Sequence, residues 1–342
     1  MEKTAKLYET VAALMTSGRG IIAADESDAT AGKRLALVNL PNEPEHRQKF
    51  RELIFTAAGI EEYVSGVIMF DSSIRNTTHE GMPFPDVLLA KGIIPGIKVD
   101  LGTQELHGFT GEVVTQGLDN LEQRLAEYYN LGARFTKWRA VYSIGDTTPT
   151  RQCLKMNAIM LARYTQLVQA AGLVPIVEPE VLLNGNHSLE RAEQVTTQVL
   201  HSVFSTFIEY EIDLSAVILK SSMVLAGDTH PKQSTPEEVA SATLRTFSVS
   251  VPESVGGIVF LSGGQTPRRA TENLQAVALL HRGPWPITFS YSRAIEEPML
   301  ATWQGKPEHE TEAQKMLLHT CKMNSLAQQG AYDSKKDKKL PG

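Results

Sequence analysis

Short apolar runs alternate along the chain with longer segments in which apolar residues recur at helical spacing. The runs are 20–25 (GIIAAD), 65–70 (SGVIMF), 94–99 (IPGIKV), 135–142 (FTKWRAVY), 174–180 (VPIVEPE), 216–223 (AVILKSSM), 256–263 (GGIVFLSG) and 286–292 (PITFSYS). Most open with Gly or Pro and are rich in Val, Ile and Phe, as buried strands are. Between them, 117–132, 150–171, 189–210 and 236–250 have the period of amphipathic helices, the last with Thr235 as its N-cap. Strand–helix alternation repeated eight times predicts an α/β fold, a closed (β/α)8 TIM barrel, with a doubly wound open sheet as the alternative. No linker or shift in composition divides the chain. A single barrel domain is therefore expected over 1–330, and the polar, Lys-rich tail 331–342 is expected to be disordered.

Composition removes several function classes. The 342 residues are 42% hydrophobic and 21% charged, which are ordinary globular values. Asp and Glu (39) outnumber Lys and Arg (33), and this balance leaves no basic footprint for nucleic acid. Apolar runs such as 216–219 fall far short of the ~20 residues of a membrane span. Neither a nucleic acid nor a membrane is expected as a partner. The two cysteines, Cys153 and Cys321, make no disulfide framework and fit a reducing compartment. The opening MEKTAKLYETVAALM reads as an amphipathic helix, not a signal or transit peptide. A cytoplasmic protein is expected, and a plastid one only if a transit peptide has been removed.

In such a barrel the chemistry sits where the strands end. Run one ends in Asp25; run two ends less clearly, in Asp71 and Ser72. Side chains two apart share a strand face, so Lys98/Asp100, Lys137/Arg139, Glu178/Glu180 and Lys220/Ser222 are each expected to point together into the mouth. One such pair is ordinarily a solvated face. Four inside otherwise apolar runs would be costly to bury unless they neutralise one another. Lys98, Lys137, Arg139, Lys220 and Arg293 against Asp25, Asp100, Glu178 and Glu180 leave a cationic excess suited to an anion. Ser262-Gly263-Gly264 after run seven, with Ser290, Ser292 and Arg293 after run eight, supplies the backbone N–H groups, hydroxyls and guanidinium of a phosphate site. Arg34 and Lys98 can hold a second phosphate opposite. A lysine nucleophile must be neutral, which desolvation and a neighbouring cation favour. Lys220, in the most apolar run and without a carboxylate two residues away, ranks ahead of Lys137; Lys137 is the neighbouring cation and Glu178 the proton shuttle.

Other motifs carry less. LSGGQ at 261–265 matches an ATPase signature, but no G-x-x-x-x-G-K-[ST] loop accompanies it. The nine histidines lack metal-ligand spacing, so no metal is expected. Glu178 and Glu180 lie on one strand, whereas glycosidases need carboxylates on opposite sides of a bond.

Together the stretches GRGIIAADES (18–27), GKRL (32–35), PGIKVD (95–100), TQGLD (115–119), KWR (137–139), VPIVEPE (174–180), LK (219–220), FLSGGQ (260–265), TFSYSRA (288–294) and NSLAQQGAY (324–332) resemble the class I fructose-1,6-bisphosphate aldolase family. The resemblance covers nearly the whole chain. It implies a (β/α)8 barrel lyase, without metal or cofactor, that reversibly cleaves fructose 1,6-bisphosphate to dihydroxyacetone phosphate and glyceraldehyde 3-phosphate. That reaction serves glycolysis, gluconeogenesis or the Calvin cycle. It further implies that Lys220 forms the Schiff base, that Glu178 transfers protons in carbinolamine dehydration, that Asp25 takes the C4-hydroxyl proton and that Lys137 stabilises intermediates. Ser262, Gly263, Gly264, Ser290 and Arg293 match the site for the phosphate next to the ketone. Ser27, Thr30, Arg34, Lys98 and Arg139 match the groups near the other phosphate and the chain hydroxyls, and Glu180 and Ser292 complete the substrate-binding set. A phosphorylated sugar is the expected partner and a homotetramer the expected assembly. The alternatives are a catalytically weak scaffold that binds protein partners and another Schiff-base aldolase of the barrel type. The intact quartet Asp25, Lys137, Glu178 and Lys220 argues against the first, and two phosphate sites argue against the second. Ser292 stands where the family usually has glycine, and Thr30 where serine is common. Many animal members carry a longer tail ending in a catalytic tyrosine; here turnover without that assistance is expected.

Overall fold

The computed structural model describes residues 2–341. The eight apolar runs form eight strands: β1 (Gly20–Ala24), β2 (Val64–Met69), β3 (Ile94–Lys98), β4 (Phe135–Tyr142), β5 (Val174–Val181), β6 (Ile218–Ser221), β7 (Gly257–Phe260) and β8 (Ile287–Tyr291). Neighbours in sequence pair in parallel, and β1 closes the ring against β8, giving the expected (β/α)8 barrel.

Two apolar layers hold it. Inside the barrel, Ile21, Ile68, Phe135, Val174, Ile176, Ile218 and Val259 pack with Leu7, Val11 and Leu14 of the N-terminal helix Glu2–Leu14. That helix stoppers the end at which the strands begin: Ser65, next to the start of β2, donates its hydroxyl to the Leu14 carbonyl at 2.6 Å. Glycine is required on β2 and β3, where a methyl group at Gly66 would overlap the Leu14 side chain and one at Gly96 the Phe135 ring. A fully buried Phe of this kind is worth ~3–5 kcal/mol against alanine. The second layer lies between the strands and the surrounding helices.

The helices begin where the side chains dictate. Thr235 caps Pro236–Ser250 in a reciprocal box with Glu238, and Thr150, Ser188 and Thr266 cap Arg151–Ala171, Leu189–Glu209 and Pro267–Leu280. The segment expected to be helical from 117 instead starts at Leu121, because Gly117 (φ 124°) and Asn120 (φ 55°) adopt left-handed backbone. An antiparallel hairpin, Thr103–Glu105 with Val113–Thr115, rises from the loop after β3; strands of three residues are too short for an alternation pattern to mark.

The tail is a correction. Residues 331–341, expected from composition to be disordered, pack onto the barrel's outer helices, and Gly342 lies outside the described residues. Leu340 and Tyr332 are buried. Arg268 donates to the carbonyls of Ser334, Asp337 and Leu340 at 3.0, 3.1 and 2.8 Å, and Asp337 accepts from the Tyr332 hydroxyl at 3.2 Å and pairs with His319 at 3.0 Å. Two apolar anchors and one arginine thus order a segment whose average polarity is high. Both cysteines are free and buried. No helix among the described residues is long and apolar enough to cross a membrane.

Candidate active site

Strand register assembles the charged residues at the ends where the strands finish. Pairing of Lys98 with Lys137, Arg139 with Glu178 and Val177 with Leu219 sets Lys220 one step on, beside Glu178. Asp25 follows directly on β1, and Arg293 opens the helix Arg293–Trp303 after β8. The result is a cavity of about 560 Å³ lined by every residue expected to catalyse or to bind substrate except Gly264. Six basic residues (Arg34, Lys98, Lys137, Arg139, Lys220, Arg293) line it against five acidic ones (Asp25, Glu26, Asp100, Glu178, Glu180).

Its centre is a buried chain of alternating charge. Lys137 Nζ lies 2.6 Å from Asp25 Oδ2 and 3.0 Å from Glu178 Oε2, and Lys220 Nζ lies 3.2 Å from Glu178 Oε1. All four side chains are at least nine-tenths buried. Burial alone would raise the Asp25 carboxyl, but the charges of Lys137 and Lys220 and the Lys137 hydrogen bond hold it at about 2. Burial likewise opposes ionisation of Glu178, and Lys137, Lys220 and Arg139 outweigh it, so its carboxyl is held down too. Burial would lower Lys137, but Asp25 and Glu178 together push its ammonium well above the ordinary lysine value. Lys137 is therefore a fixed cation between two carboxylates, whereas among the described residues Lys220 touches only one.

Around this centre the cavity has two walls able to hold anions. On one wall, Ser262 leads into Gly263 and Gly264, whose backbones are left-handed (φ 60° and 95°), the kind of turn whose backbone N–H groups can approach an anion closely. Gly264 sits behind the wall, so close to Arg293 that a Cβ there would lie 3.5 Å from Nη2. Ser290 Oγ is buried without a hydrogen-bond partner among the described residues. The Arg293 guanidinium opposite it lines the cavity, and no carboxylate among the described residues pairs with it. The other wall carries Ser27, Thr30 and Arg34 from the helix Asp28–Ala36, which Ser27 caps by accepting from Thr30 N at 3.3 Å. Lys98 is held at 2.7 Å by Asp100 and lies over the Phe70 ring, and Arg139 pairs with Glu180.

Two expectations fail locally. Ser222 does not share the mouth with Lys220: β6 ends at Ser221, alternation stops there, and the Ser222 hydroxyl donates to the Val181 carbonyl at 3.0 Å. Asp71 and Ser72 turn outward, to Arg75 and Tyr128 and to Asp28 respectively. Glu26, which lines the cavity, has no spacing signal of its own in the sequence; it is marked only by its position next to Asp25 at the end of β1.

A family model described as Fructose-bisphosphate aldolase class-I matches residues 6–341. The chain is 46% identical over 328 residues to the probable fructose-bisphosphate aldolase class 1 of Xylella fastidiosa (strain 9a5c), a match covering 96% of this chain and 98% of that one. It is 45% identical over 336 residues to fructose-bisphosphate aldolase 6, cytosolic, of Arabidopsis thaliana, covering 98% and 93% of the two chains. Fructose-bisphosphate aldolase from Plasmodium falciparum, crystallised with TRAP and a small-molecule inhibitor, matches the fold with a TM-score of 0.96 at 40% identity, covering 97% of this chain and 96% of its own.

Proposed function

Because the chain belongs to the class I fructose-bisphosphate aldolase family, it is a lyase of glycolysis that cleaves fructose 1,6-bisphosphate through a Schiff base, and we propose that Lys220 supplies the amine. The observation that carries the assignment is the unequal sharing of Glu178 by two buried lysines. Lys137 is clamped between Asp25 and Glu178, so its proton is not free to leave. Among the described residues Lys220 has one carboxylate contact, and Glu178 Oε1, 3.2 Å away, is placed to take its proton.

The steps follow from these positions. Lys220 Nζ adds to the C2 ketone of the open-chain sugar, and the carbonyl oxygen becomes the carbinolamine hydroxyl. Glu178 returns a proton to that oxygen, water leaves, and a protonated imine remains. The imine carbon draws the electrons of the C3–C4 bond as Asp25, ionised at neutral pH, accepts the C4-hydroxyl proton. The C4 aldehyde departs as glyceraldehyde 3-phosphate and the enamine stays on Lys220. Protonation at C3 and hydrolysis then release dihydroxyacetone phosphate. Lys137, a permanent cation beside both carboxylates, stabilises the oxygen charge that develops in these steps.

The phosphate next to the ketone belongs on Ser262, Gly263, Ser290, Ser292 and Arg293, with Gly264 behind them, where no carboxylate among the described residues pairs with Arg293. The second phosphate and the chain hydroxyls belong with Ser27, Thr30, Arg34, Lys98, Arg139 and Glu180 on the opposite wall. A homotetramer in the cytoplasm is the assembly and location this reading includes; exposed Ile208, Val249 and Leu279 offer apolar surface for contacts between copies. Lys220→Ala tests the central assignment: it is expected to fold and to lose cleavage of fructose 1,6-bisphosphate, and a folded variant that cleaves normally would overturn it.

A further inference from the structure

Behind the two phosphate walls lies a second buried charge cluster that the reaction steps above leave unused. Arg51, 3% exposed, donates from Nη2 to Glu26 Oε2 at 2.7 Å and from Nη1 to Glu296 Oε1 at 3.3 Å. The Ser292 hydroxyl donates to Glu26 Oε1 at 2.8 Å and lies 3.3 Å from Glu296 Oε2. Arg34 Nε stands 3.8 Å from Glu26 Oε1, while its Nη1 reaches Glu297 at 3.3 Å. Glu26 and Glu296 thus share both the Arg51 guanidinium and the Ser292 hydroxyl.

Two carboxyl groups this close disfavour each other's charge. Burial, and then the neighbouring Glu26 charge, pushes the Glu296 carboxyl well above the ordinary range. Burial opposes ionisation of Glu26, but the Arg51 charge holds it down. The cluster is thus two carboxyl groups around one guanidinium, almost fully shielded from water. Glu26 is its hub: among the described residues it alone touches both Ser292 on one wall and Arg34 on the other.

We propose that Glu26, Glu296 and Arg51 are positioning residues that fix the two phosphate walls relative to each other, Glu296 bracing Arg51 and Ser292 from the side opposite Glu26. Arg51 anchors Glu26 from behind. The Ser292 bond orients the start of the helix that carries Arg293, and the Glu26 charge biases Arg34 toward the opposite end of the substrate. The cluster acts as a spacer for a sugar with a phosphate at each end. This inference rests on the wall assignments of the proposed function.

The test is steady-state cleavage of fructose 1,6-bisphosphate and of fructose 1-phosphate by the full chain and by Glu296→Gln and Glu296→Leu, with thermal melts run alongside. Glutamine keeps an oxygen for Arg51 and Ser292 at nearly the same volume, so Glu296→Gln is expected to match the wild type on both sugars. Glu296→Leu removes these contacts and is expected to raise KM about tenfold for the bisphosphate and about threefold for the 1-phosphate, with kcat little changed. The inference is overturned by a folded leucine variant with wild-type KM values, by equal damage to both sugars, or by a glutamine variant as impaired as the leucine one. If Glu296→Leu does not fold, Ser292→Ala decides. A larger KM rise for the bisphosphate than for the 1-phosphate supports the spacer, and an equal rise shows direct phosphate contact only and overturns it. A wild-type chain that cleaves neither sugar would instead defeat the underlying functional reading.

Discussion

Replacing Lys137 by methionine keeps most of the side-chain volume but removes the ammonium 2.6 Å from Asp25 and 3.0 Å from Glu178. The structure sets the scale of the loss. Asp25 is held at about 2 against an ordinary value of 3.8, which corresponds to about 2 kcal/mol of stability at neutral pH. A depressed carboxylate contributes that stability fully above its unfolded value, and the contribution fades as pH falls from 3.8 through about 2. Lys137 is the strongest of the charges opposing burial at Asp25, and it supports Glu178 as well. Lys137→Met should therefore cost about 3–5 kcal/mol, the range for removing one partner of a buried pair. A double-mutant cycle with Asp25→Asn isolates the contact. Urea unfolding at pH 7 and fixed protomer concentration should give a coupling energy of about 2 kcal/mol, within the span seen for residues in contact. The same cycle at pH 3 should give a smaller value. Additivity within about 0.5 kcal/mol at pH 7, or a coupling that grows on acidification, would refute the electrostatic reasoning.

Further variants probe the other parts. Glu178→Gln removes the group placed to move Lys220's proton, and turnover should fall by about 10²–10⁴ with a much smaller change in KM, as steady-state kinetics would register. Arg293→Ala should raise KM by about 10- to 100-fold for both the bisphosphate and the 1-phosphate, since both carry the phosphate next to the ketone. Thr235→Ala breaks the capping box at Pro236–Ser250 and should lower stability by about 1 kcal/mol in urea unfolding without altering KM.

Much of this was legible in the sequence because barrels repeat a simple rule. Each strand is a run such as VPIVEPE or AVILKSS, apolar until its final residues, where charged groups must face a shared cavity to be tolerated. The i,i+2 spacing placed Lys137 with Arg139 and Glu178 with Glu180 on one face, and the structure keeps those faces. It failed at Ser222 because alternation holds only while the strand lasts, and β6 stops one residue earlier. Spacing also could not show which lysine shares which carboxylate, since Lys137 reaches Asp25 across the barrel, between strands distant in sequence. The same limit hid the Glu26–Arg51–Glu296 cluster: its members come from three separated elements, and buried Glu296 looks in the sequence like any charged helix residue. Composition misjudged the tail because Leu340, Tyr332 and the long-range donor Arg268 count for little in an average over residues 331–342.

The most direct measurement is borohydride reduction of the protein in the presence of dihydroxyacetone phosphate, with the modified residue located by mass spectrometry. A single stable adduct on Lys220 is expected, in the wild type and also in folded Lys137→Met. An adduct on Lys137, or no adduct at all, would contradict the assignment of the amine that carries the reaction.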